Sequence, residues 1–110
     1  MKVIKSDWLN TQIAIFTNYE DYVKKSAKLK LIEVYDLQVG TRAFYQRCPD
    51  DEGFVYFLIC FPEHPSYKTI VHETSHVTDM IFDYIGLEPC TETEAYFHSW
   101  LFGEVLEVIK

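Results

Sequence analysis

Residues 54–86 read FVYFLICFPEHPSYKTIVHETSHVTDMIFDYIG, and the change of period inside this stretch decides the fold. Phe54 to Phe61 is apolar or aromatic at every position, the pattern of a strand buried on both faces. From Pro65 onward the apolar residues fall at helical spacing instead. Ile70, Val77, Ile81 and Tyr84 are seven, four and three apart, which predicts a helix with one buried stripe. Pro65 suits the approach to its first turn, and Gly86 suits its C-terminal cap. Pro89 stops any continuation, and a second helix is predicted from near Thr91 past Leu101, with Ala95, Phe97, Leu101 and Val105 apolar.

Working backward, Cys48 to Gly53 (CPDDEG) gathers the residues of a turn, and Gly40 to Arg47 alternates weakly as a strand. Those two strands form a predicted hairpin. Ile32 to Val39 fits a strand, a short helix or an irregular link equally. Thr11 to Thr17 (TQIAIFT) reads as a strand, and Asn18 is a natural N-cap with Glu20 and Asp21 behind it. The helix that follows is predicted to reach about Lys30 and to turn Tyr19, Tyr22, Val23 and Ala27 inward. The expected fold class is therefore α+β: a small, mainly antiparallel sheet of about three strands with three helices.

Length and composition bound the rest. The 110 residues, 48% hydrophobic and 16% aromatic, show no repeat and no linker, so residues 1–110 are expected to form one domain. Ten Lys and Arg against 17 Asp and Glu give a formal charge of -7. Such a balance excludes nucleic acid and anionic membrane surfaces as expected partners, since both need a basic face. No apolar run has the length of a membrane span, and the first residues, MKVIKSD, lack the apolar core of a signal peptide. A cytoplasmic address is expected. Cys48, Cys60 and Cys90 are too few and too scattered for a disulfide framework or a thiolate metal site.

All four histidines, His64, His72, His76 and His98, lie in the C-terminal half, and His72-Glu73-Thr74-Ser75-His76 is an HExxH motif. On a helix, residues four apart stand one above the other, so His72 and His76 can ligate one zinc ion without distorting the backbone. Glu73 is turned about 100° from His72, close enough to take a proton from a zinc-activated water. A catalytic zinc takes three protein ligands, and the third must come from a neighbouring element. Glu92 and Glu94 stand near the start of the next helix. Helical phase favours Glu94, which shares its line with Phe97, His98, Leu101 and Val105; Glu92 stays the alternative.

VHETSHVTDMIFDYIG followed by TETEAYFHSW resembles the small gluzincin-type zinc metallopeptidases, particularly compact HExxH proteins encoded by phages and prophages. The resemblance spans roughly residues 54–102. It implies one Zn²⁺ held by His72, His76 and Glu94, Glu73 as general base, a peptide or protein substrate and a bacterial cytoplasmic setting. An alternative follows from the small size and the aromatic content: a zincin-like scaffold without turnover that binds another protein. Asp79 is a candidate to orient an imidazole, with Asp83 on the same face. Tyr96 and His98 are candidate oxyanion donors. Cys90 reads as a small hydrophobe and His64 as a loop residue.

Overall fold

The computed structural model describes residues 2–6, 11–31, 43–86 and 91–109. Seven elements follow in chain order: β1 (Lys2–Ser6), β2 (Thr11–Phe16), α1 (Tyr19–Lys28), β3 (Phe44–Pro49), β4 (Val55–Cys60), α2 (Tyr67–Ile85) and α3 (Thr91–Ile109). The predicted segment 32–39, residues 40–42 of the predicted strand, Pro89 and Cys90 lie outside the described residues.

The class is α+β, but the sheet has four strands, ordered β1-β2-β4-β3, and it is mixed. β1 pairs antiparallel with β2, β2 runs parallel to β4, and β3 pairs antiparallel with β4. This corrects the expectation of about three mainly antiparallel strands. KVIKS is too short and too lysine-rich to announce itself as a strand, yet edge strands are built that way. Its Ile4 reaches the core.

The two central strands have helices on both faces, and their alternation separates two cores. Ile13 and Ile15 of β2 with Phe57 and Ile59 of β4 face α2 and α3, where Ile70, Val77, Ile81, Phe97, Leu101 and Val105 close over them. Ala14, Phe16, Leu58 and Cys60 face α1 and its Tyr22. α2 lies over β3 and β4 and packs beside α3. On α3, Phe97, Leu101 and Val105 are buried as predicted, while Ala95 is exposed. Tyr84 stays 48% exposed at the rim, its ring edge-on to Phe57 and under the Arg47 guanidinium.

Local chemistry sets the boundaries. Asn18 caps α1, accepting from the Asp21 amide at 2.7 Å, and Ser66 caps α2, accepting from the Thr69 amide at 3.1 Å. Pro65 therefore precedes the cap. Gly86 ends α2 with φ 73°, a left-handed conformation that glycine adopts without steric cost. The predicted hairpin turn is present: Asp50 Oδ1 accepts from the amides of Glu52 and Phe54, both at 2.9 Å. In α1 the buried residues are Tyr22 and Ser26, while Val23 and Ala27 are exposed. The Tyr22 hydroxyl donates to Gln46 Oε1 at 2.9 Å across to β3, and that anchor rotates the helix away from the phase its aliphatic residues suggest.

Candidate functional site

α2 buries Ile70, Val77 and Ile81 against the sheet. Spacing of three, four and seven then places His72, Ser75, His76 and Asp79 together on a strip off the helix's buried stripe. His72 and His76 are in contact, their ring centroids 4.6 Å apart and nearly perpendicular. The His72 side chain is 64% exposed, so the strip opens to solvent. On its other side, the Tyr45 ring of β3 stacks on His76, with centroids 4.7 Å apart and planes 15° from parallel. Nothing in the local sequence marked Tyr45; its place follows from alternation, which sends Tyr45 and Arg47 to one side of β3 and the buried Gln46 and Cys48 to the other.

Glu73 behaves differently from its neighbours. It is buried, with Oε1 3.9 Å from His72 Nε2 and Oε2 without a hydrogen-bond partner among the described residues. Burial pushes its carboxyl up from the ordinary glutamate value, and the two nearby imidazoles only partly oppose that shift. The folded state therefore favours the protonated acid, and this contribution to stability is complete below the unfolded pKa and lost as pH rises through the folded one. Glu73→Gln in metal-free protein is expected to be more stable than the parent at pH 7, by about 1 kcal/mol. The difference should vanish below about pH 4, where the parent carboxyl is protonated in both states. Thermal melts of both proteins across that range check it; a constant difference at all pH values would contradict it.

The two candidate third donors are placed unequally. Glu92 is exposed. Glu94 is half-buried and lines a cavity of about 260 Å³ with Ser75, Thr78, Asp79, Ala95 and His98, so it flanks the strip that carries the two imidazoles. Among the described residues, no three His, Cys, Asp or Glu side chains stand close enough together to hold a metal ion. The donor chemistry nonetheless fits zinc: two adjacent imidazoles, a carboxylate on the flank and an unpartnered buried carboxylate oxygen beside them.

The remaining candidates separate cleanly. Asp79 and Asp83 are exposed, and among the described residues no hydrogen bond joins Asp79 to either imidazole. Tyr96 is 71% exposed. His98 Nε2 is engaged with Thr74 Oγ1 at 2.8 Å, so that nitrogen is committed within the protein rather than to an oxyanion. His64 is a loop residue, as read, with φ 53°, and lines a separate cavity with Asn18 and Glu63. Cys48 and Cys60 are buried; burial and the charge of Asp21 push the Cys60 thiol up to about 12, which removes it as a thiolate ligand at neutral pH.

Among the described residues no helix is long and apolar enough to cross a membrane. No protein-family model, no curated protein and no solved structure matches this chain.

Proposed function

We propose that the chain is a zinc-dependent peptidase whose working residues are His72, Glu73, His76 and Glu94. The observation that supports this reading is Glu73: a carboxylate buried beside two contacting imidazoles, with one oxygen that has no partner among the described residues. A structural glutamate gains nothing from that position, because an unpartnered buried polar atom costs about 1–3 kcal/mol. A general base gains a raised pKa, nearer the pH at which it must exchange a proton.

His72 and His76 would hold the ion, with Glu94 brought to them from α3. Zinc, when bound, supplies a Lewis acid that polarises the scissile carbonyl and acidifies water. The Glu73 carboxylate would take the proton of the attacking water and deliver it to the leaving amine. β3 supports a peptide as substrate: among the described residues it is the outermost strand, bridged only at Asp50 by Leu31, and its Tyr45 stacks on His76. An extended peptide adding to that edge would run beside the motif.

Zinc affinity in Glu94→Gln and Glu92→Gln tests the ligand set. Glu94→Gln is expected to lose about tenfold or more and Glu92→Gln to stay close to the parent, since only Glu94 flanks the strip. The reverse order would assign the third ligand to Glu92. A second reading, a protein-binding scaffold without turnover, is favoured by the exposed Tyr67, Val71 and Tyr96 on α2 and α3. Peptide hydrolysis that depends on Glu73 excludes it.

A further inference from the structure

Thr74 is the central residue of the motif, two positions from each imidazole, and it is fully buried. Its hydroxyl lies 2.7 Å from the Ile70 carbonyl oxygen, a geometry in which only the hydroxyl can donate. A threonine hydroxyl has one proton, so in the 2.8 Å contact with His98 Nε2 the hydroxyl accepts and the imidazole donates. With the Val71 carbonyl oxygen also 3.2 Å from the hydroxyl, that arrangement calls for a proton on His98 Nε2. One directional bond joins the centre of the HExxH motif to α3.

His98 stands one helical turn after Glu94, on the same face of α3, and lines the same cavity. The apolar contacts between the two helices, Phe82 against Phe97 at 5.8 Å among them, hold the pair together without fixing its register, because apolar attraction is non-directional. We propose that His98 is a positioning residue: through Thr74 it fixes the glutamate-bearing turns of α3 against the motif, so that the third carboxylate is presented to His72 and His76. This rests on the zinc reading above and names what orients its ligand set.

The test is a double-mutant cycle on zinc affinity, measured by competition with a chelating indicator, with the melting of the metal-free proteins followed in parallel. His98→Ala and Thr74→Val are each expected to weaken zinc binding by about tenfold or more. His98→Gln, whose amide nitrogen can donate from nearly the same position, is expected to stay close to the parent. In the glutamate-to-glutamine variant that removes the third donor, His98→Ala is expected to cost no further affinity, because the residue acts through that carboxylate. A merely structural role would lower affinity in proportion to lost stability and by the same factor in both backgrounds. That result, or full affinity in both His98→Ala and Thr74→Val, would overturn the proposal. A parent protein that binds no zinc would instead overturn the zinc reading, and this inference with it.

Discussion

Glu73→Gln is expected to keep its metal and to lose peptide hydrolysis by about a hundred- to ten-thousandfold. The amide keeps the size of the carboxyl but cannot take a proton from water. Glu73 is not needed as a ligand in this account, so zinc content should be unchanged. Because the substitution also removes an unpartnered buried carboxylate, the variant is expected to be no less stable than the parent at neutral pH. Loss of activity together with retained metal and retained folding isolates the proton transfer from every structural explanation. Cleavage of an unstructured protein substrate by the Glu73→Gln variant at the parent's rate would remove Glu73 from the mechanism.

Metal removal carries the second large effect. A ligand that binds only the folded state stabilises it by an amount set by its concentration over its dissociation constant, about 4 kcal/mol at a thousandfold excess. Adding zinc to chelator-treated protein is therefore expected to raise the melting temperature by many degrees. His72→Ala and His76→Ala should lose that response. The His72 side chain is 64% exposed, so metal-free His72→Ala should melt near the metal-free parent, whereas metal-free His76→Ala, which also gives up the Tyr45 stack, should melt somewhat lower. An equal zinc response in the parent and both variants would place the ion elsewhere.

Much of this arrangement is legible in the sequence because it is local. An unbroken apolar run, a helical stripe and a four-residue histidine spacing are periodicities, and they mark β4, α2 and the imidazole pair. What is not local escapes. β1 is recognisable only once β2 lies beside it, since KVIKS alone is as much a polar terminus as a strand. The parallel pairing of β2 with β4 leaves no signature in either segment. In α1 the aliphatic Val23 and Ala27 point outward because a buried tyrosine hydroxyl found Gln46 on β3, a contact between residues 24 positions apart.

The site follows the same division. Spacing identifies His72, Glu73 and His76, but it cannot show that Glu73 is buried with an unpartnered oxygen or that Tyr45 stacks on His76. Helical phase favoured Glu94 over Glu92 on the apolarity of its line, and Glu94 does face α2 while Glu92 is exposed. His98, one of two candidate oxyanion donors in the sequence, has its Nε2 in contact with Thr74 Oγ1 at 2.8 Å, a pairing between residues 24 positions apart that no local pattern marks.

The central claim is that His72 and His76 hold zinc, and the most direct measurement is the metal content of protein purified without added zinc, beside His72→Ala prepared identically. The account predicts one zinc per parent chain and a metal-free, folded His72→Ala. A folded parent that contains no zinc and takes up none on addition would contradict it.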